Sequence, residues 1–210
     1  MRWKTGLGNR LLVANLPTNM LCGLVLLAGE FGVNAESWFA GMRLNVQEIH
    51  DPQARVSYRQ ASEIIRRALP TLPIDGVGLA MGEKQNGGNF GLLGLAMKTA
   101  PTFGDAVQIG LEYQRNLGPL MDLDVQDRED GALAVVATAP EEAADLLPFL
   151  CEEMFASTLM LARELAGPDF RPLWLELGYP APRYARRSDA LFGCAVRFHP
   201  TPPAQGDGPS

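Results

Sequence analysis

The chain has 210 residues, of which 47% are hydrophobic and 20% are charged, and its formal net charge is −6. This is an ordinary globular composition, and the length suits one domain better than two, since domains usually need about 100–200 residues each. The acidic balance and the absence of a lysine- or arginine-rich cluster argue against a chain that binds DNA by itself, because phosphate neutralisation supplies much of that affinity.

The N-terminal region contains an apolar stretch, residues 20–28, behind a basic N-terminus, and this order is also found in export signals. Pro17 interrupts the apolar region, and Glu30 falls before the small-residue site at which an export signal would be cleaved. We therefore interpret residues 19–31 as a buried helix of a cytoplasmic protein. The three cysteines, Cys22, Cys151 and Cys194, are far apart and form no CxxC motif, which favours reduced thiols.

Two further helices are predicted before residue 100. Ser57 and Gln60 have the spacing of a capping box, which predicts a helix from there to about Leu69 with a Glu63–Arg67 ion pair on its outer face. Residues 76–81 are apolar but too short to assign, and residues 90–99 are predicted to be helical.

A glycine-rich loop, residues 82–89, separates these two segments. Such loops can hold phosphate, but here the Lys-Ser/Thr pair of a phosphate-binding loop is missing. A tight turn is therefore the favoured interpretation.

The second half begins with a helix capped by Thr102, and the period then changes to two. The alternation in residues 121–126 predicts a strand, and residues 132–138 are predicted to return as its antiparallel partner. The longest helix is predicted from a cap at 138–141 to about Ala166. On this helix, four charged residues are predicted to face outward and seven residues are predicted to form the buried stripe. The outward-facing residues are Glu152, Glu153, Arg163 and Glu164; the stripe is Leu147, Leu150, Cys151, Met154, Thr158, Leu161 and Leu165.

Residues 173–177 and 194–198 are predicted to be a third and a fourth strand. The fold class is therefore α+β, with a helical N-terminal half packed against a small antiparallel sheet of three or four strands and one long helix. The segment 200–210 is rich in proline and glycine and is predicted to be a disordered tail that follows one domain, residues 1–199.

The sequence offers no catalytic constellation. His50 and His199 are the only histidines, and neither has metal ligands at a suitable spacing. His50 suits a helix end, where its ring can meet exposed carbonyls, and His199 is expected to be solvated. We expect no enzyme, no cofactor and no metal; a haem-type sensor using His50 is a remote alternative.

Four residues are candidates for a ligand pocket: Tyr113, Trp174, Glu176 and Arg197. Trp174 and Glu176 alternate on one strand, where small polar residues would be expected. Aromatic floors with a few polar anchors are typical of small-molecule sites. The alternative is that Tyr113 is a core aromatic residue and that Trp174 and Glu176 are ordinary surface residues.

Several segments along the chain form one pattern: Trp38–Leu44, Asp51–Gln60, Val77–Gly82, Asn89–Met97, Ala100–Ala106 with Glu112-Tyr113, Arg171–Leu173, Pro180–Pro182 and Leu191–Phe198. In this order they resemble the N-terminal sensor half of one branch of the AraC/XylS transcriptional regulators. The resemblance extends from about Asn19 to Phe198.

The resemblance implies a bacterial, cytoplasmic domain that senses a small-molecule effector and forms a homodimer. DNA would be bound only through a C-terminal helix-turn-helix half, which is absent from these 210 residues. The alternative is a stand-alone small-molecule-binding or protein-interaction module of the same fold. Exposed apolar residues of the 143–166 helix are the first candidates for the dimer surface.

Overall fold

The computed structural model describes residues 11–113, 120–129 and 131–199. Its helices are α1 (Asn19–Glu30), α2 (Tyr58–Ala68), α3 (Val77–Gly82), α4 (Gly91–Lys98), α5 (Phe103–Tyr113), α6 (Leu147–Ala166) and α7 (Ala185–Phe192). Its strands are β1 (Leu16–Pro17), β2 (Arg55–Val56), β3 (Asp122–Asp127), β4 (Leu133–Thr138), β5 (Leu175–Leu177) and β6 (Val196–Phe198). The α+β class, the early buried helix and the β3–β4 hairpin agree with the sequence predictions.

The chain divides into two compact units, residues 1–74 with 112–146, and residues 75–111 with 147–210. In the first unit, α2 begins at the predicted capping box, in which Ser57 and Gln60 satisfy each other's backbone N–H groups. Glu63 and Arg67 form the predicted ion pair at 2.9 Å. Arg67 also donates to the backbone carbonyls of Trp38 and Ala40, so one guanidinium ties α2 to a preceding turn.

The second unit is built around α6. A small apolar cluster joins α4, α5 and α6 through Met97, Ala106 and Leu161. The regular helix begins at Leu147, later than predicted, and a 3₁₀ segment, Glu141–Leu146, precedes it. Pro148 explains the late start, because proline lacks the N–H that a helix interior needs and is tolerated only in the first turn.

The strands form three separate two-stranded sheets among the described residues, and not one sheet of three or four strands. β1–β2 and β3–β4 are antiparallel, whereas β5–β6 is parallel. Helix α7, which the sequence analysis did not assign, lies between β5 and β6 in the chain. A helical crossover returns the chain in the same direction, so the strands that it joins pair in parallel.

The predicted tail at 200–210 lies outside the described residues. Among the residues that are described, no helix is long and apolar enough to cross a membrane.

Candidate functional site

Of the four predicted pocket residues, two lie on the β5–β6 pair and a third lies next to it in the chain. Leu175 and Leu177 are buried, which fixes the orientation of β5 and turns the side chain of Glu176 to the opposite face. Trp174 comes one residue before β5 and is half-buried. Glu176 is in register with Arg197 of β6, and an Arg197 guanidinium nitrogen (Nη1) lies 3.4 Å from Glu176 Oε1.

This pair remains accessible. The Glu176 side chain is 25% exposed and that of Arg197 is 59% exposed. A contact of 3.4 Å is long for a charge-assisted hydrogen bond, which is typically about 2.7–2.9 Å. The two charges are therefore accessible neighbours of opposite sign that are joined by one long contact.

Tyr113, the fourth candidate, is the last residue of α5 and is 47% exposed. It is therefore not a core aromatic residue. It belongs to the first unit, whereas Trp174, Glu176 and Arg197 belong to the second.

A second polar cluster, which the sequence analysis missed, surrounds Glu152 on α6. The prediction placed Glu152 on the outer face, yet this residue is only 2% exposed. Its carboxylate Oε1 accepts a hydrogen bond from the Tyr184 hydroxyl at 2.8 Å and lies 3.4 Å from the Tyr179 hydroxyl. The Leu79 backbone N–H also donates to this carboxylate. The buried carboxylate is thus hydrogen-bonded from three sides.

Burial raises the pKa of Glu152, and the hydrogen bonds from Tyr184, Tyr179 and Leu79 oppose this rise. Burial likewise raises the pKa of both tyrosine hydroxyls, which favours their neutral, donating form. The neighbouring Glu153 accepts a hydrogen bond from the Ser157 hydroxyl at 3.0 Å. Burial raises the pKa of Glu153 to about 7. Charge alone therefore misplaced Glu152, because this buried acceptor is bonded by tyrosines that are 27 and 32 residues away in the chain.

Two glycines allow α3 to approach α6 closely. A Cβ at Gly78 would stand 2.5 Å from the Phe149 carbonyl oxygen, and one at Gly82 would stand 2.8 Å from the Ser157 nitrogen. Both distances are shorter than real Cβ contacts. The glycines of the segment 77–82 therefore act in helix packing, and the close approach brings the Leu79 N–H within reach of Glu152.

In the glycine-rich loop 82–89, protein side chains are bonded to backbone N–H groups. The Gly87 N–H donates to Glu164 Oε2 at 2.5 Å, and the other oxygen of that carboxylate contacts the Lys98 ammonium at 2.5 Å. The Asn89 side chain accepts from the Asn86 N–H, and the Asn86 side chain accepts from the Gly88 N–H, around a 3₁₀ turn, Gly87–Phe90. The loop is the predicted turn.

The two histidines are not clustered with other ligands. His50 ends the 3₁₀ turn Glu48–His50, as predicted, and its side chain is exposed. His199 is half-buried and not freely solvated: its backbone N–H donates to the Leu177 carbonyl, and its Nε2 is buried. In the described part of the chain, no three His, Cys, Asp or Glu residues are placed to hold a metal ion.

Comparison with known proteins identifies the family. Residues 32–202 match the family model described as the arabinose-binding domain of AraC transcription regulators, N-terminal. The chain is 29% identical over 176 residues to the Ornithine utilization regulator of Pseudomonas aeruginosa, covering 83% of this chain and 51% of that protein. It is 28% identical over 152 residues to uncharacterised HTH-type transcriptional regulators of Mycobacterium bovis and Mycobacterium tuberculosis, covering 72% of this chain and 43% of each. The chain thus spans about half the length of these curated relatives.

Proposed function

Because the chain belongs to the family of N-terminal, arabinose-binding-type domains of AraC transcription regulators, we propose that it is an effector-sensing and dimerisation module. In this proposal the module acts in the cytoplasm of a bacterium, and DNA is contacted only by a C-terminal half like that of the HTH-type relatives. The effector acts by binding one arrangement of the module better than another, since a ligand shifts an equilibrium only through such a difference.

The observation that supports the effector site is the accessible Glu176–Arg197 pair on β5–β6, with Trp174 directly before β5 in the chain. A guanidinium suits a carboxylate, a carboxylate suits an ammonium group, and an indole ring covers the apolar part of a small ligand. Neighbouring charges of opposite sign fit a zwitterion better than a neutral sugar. An amino acid is therefore the effector class that we favour, and one relative is a regulator of ornithine utilization.

A thermal-shift assay with L-ornithine and L-arabinose tests this proposal. A ligand that binds the folded state raises Tm by an amount that grows with the ratio of its concentration to its Kd, so ornithine is expected to raise Tm and arabinose is not. Trp174→Ala is expected to abolish the shift, whereas Leu92→Ala, at an 85% exposed position elsewhere in the same unit, is expected to keep it. A shift with arabinose alone would support sensing but contradict the amino-acid class. No shift with either ligand, or an ornithine shift unchanged in Trp174→Ala, would contradict the site.

A further inference from the structure

The exposed apolar side chains of this protein do not lie where the sequence suggested. No large apolar residue of α6 is exposed, although the 143–166 helix was the expected dimer surface. Two exposed ones lie on β4 instead: Leu133 is 56% exposed and Val135 is 38% exposed. β4 is an edge strand of a two-stranded sheet among the described residues.

The register of the hairpin shows which backbone groups of β4 face away from β3. The Arg128 N–H donates to the Ala132 carbonyl, and residues pair so that Leu133 faces Asp127 and Thr138 faces Asp122. Hydrogen-bonded and non-hydrogen-bonded pairs alternate in an antiparallel ladder. The N–H and C=O groups of Leu133, Val135 and Ala137 therefore point away from β3, and no protein group in the described residues is bonded to them.

The two edges of this hairpin differ in charge. On β3 the outward N–H of Val125 is already bonded to the side chain of Asp124 at 2.9 Å, and acidic residues alternate along that strand. β4 carries six residues, LAVVAT, without a charge or a proline. Charged residues and prolines are the usual devices that prevent strands from pairing edge to edge, so β3 is protected and β4 is open.

We infer that β4 pairs with β4 of a second copy of this chain, antiparallel and centred on Val135, so that two hairpins form one four-stranded sheet. A twofold axis at Val135 places it opposite Val135 of the second copy and places Leu133 opposite Ala137. All three outward N–H and C=O pairs of each copy are then satisfied, and their side chains share one face. Each copy contributes the same β4 surface, as a twofold interface requires. A four-stranded sheet is also more stable than an isolated two-stranded hairpin.

The second copy is favoured over a foreign strand because the edge is complementary to itself. Its outward groups lie at positions 133, 135 and 137, which are symmetric about Val135, and it carries no charge that would repel its own copy. This inference rests on the dimerisation proposed above and names its surface.

Cysteine cross-linking tests the register, after sedimentation velocity has established that the unmodified chain is a dimer. In Val135→Cys the two new cysteines face each other at a Cα separation of about 5.5 Å, within the disulfide range. In the control Leu133→Cys the two new cysteines are four residues out of register, about 13 Å apart, which is too far for a disulfide. Wild type gives the background from Cys22, Cys151 and Cys194.

Val135→Cys is expected to give at least about fivefold more disulfide-linked dimer than either Leu133→Cys or wild type, since only this pair meets the distance limit. Val135→Lys is expected to shift the protein towards monomer while its circular dichroism is unchanged. A dimer in which Val135→Cys does not cross-link above wild type, or in which Leu133→Cys cross-links equally, overturns the β4 pairing and leaves dimerisation standing. A monomer at all concentrations overturns both.

Discussion

Two regions of the second unit are organised around a glutamate, and they differ in what surrounds it. Glu152 in the α3–α6 interface is 2% exposed and accepts hydrogen bonds from two tyrosines and a backbone N–H. Glu176 on the β5–β6 face is 25% exposed and has one long contact to Arg197. A buried carboxylate with several protein donors organises the fold, whereas an accessible one with a single long contact is available to a ligand. The comparison therefore separates a structural cluster from a candidate binding face.

The largest expected effect comes from removing the buried carboxylate. Glu152→Ala leaves the Tyr184 and Tyr179 hydroxyls and the Leu79 N–H without their acceptor, and each unsatisfied buried group costs about 1–3 kcal/mol. We expect the free energy of unfolding to fall by about 3 kcal/mol, measured by urea denaturation. Glu152→Gln, which retains an acceptor oxygen, is the matched control and is expected to lose less. A loss below about 0.5 kcal/mol, the range of ordinary surface substitutions, would show that the cluster does not organise the interface.

A smaller loss is expected from widening the α3–α6 contact. A Cβ at position 78 meets backbone and side-chain atoms of Phe149 and Glu152, so Gly78→Ala should cost about 2 kcal/mol through overpacking. Gly29→Ala in α1 is the control, because nothing lies within 4 Å of its added Cβ. Alanine is the better helix former there, so this control should gain about 0.5–1 kcal/mol. Equal effects of the two substitutions would contradict the close packing of α3 on α6.

The pH dependence of stability provides a third test. Burial raises the pKa of Glu153 from its ordinary value of 4.5 to about 7. The folded state therefore binds the Glu153 proton more tightly than the unfolded state does. The protonated Glu153 contributes its full share to the free energy of unfolding below pH 4.5, and this share is lost as the pH rises through 7. Glu152 contributes in the same direction. Thermal denaturation should show Tm falling across this window, and Glu153→Gln should make the fall shallower; an unchanged slope would contradict the burial of Glu153.

The smallest effect on stability is expected on the accessible face. Arg197→Ala removes an exposed ion pair, and such pairs contribute about 0–1 kcal/mol. Denaturation of this variant should therefore give nearly the wild-type free energy of unfolding. A loss above about 2 kcal/mol would mean that the β5–β6 face is structural, like the Glu152 cluster, and is not free to bind a ligand.

Local signals in the sequence identified much of the fold. The capping box at Ser57 and the alternation from Met121 each depend on neighbouring residues, and both are present in the structure. The parallel direction of β5–β6 was not predicted because it depends on α7, a helix of eight residues that the sequence analysis did not assign. The burial of Glu152 could not be predicted from the sequence either, because its hydrogen-bond partners Tyr179 and Tyr184 are 27 and 32 residues away in the chain.

Only part of the candidate site could be predicted from the sequence. The alternation around Leu175 and Leu177 indicated the strand that carries Glu176, whereas the register of Glu176 with Arg197 depends on a parallel pairing that the sequence did not reveal. Their role in effector binding remains a prediction.

Isothermal titration of the wild type and of Arg197→Ala with L-ornithine and with putrescine, its analogue without the carboxylate, tests the effector site most directly. If Arg197 receives the ligand carboxylate, the wild type should bind ornithine at least about tenfold more tightly than putrescine, which corresponds to about 1.4 kcal/mol. Arg197→Ala should bind the two ligands with nearly equal affinity. A preference for ornithine that persists in Arg197→Ala, or no binding of ornithine to the wild type, would contradict the account.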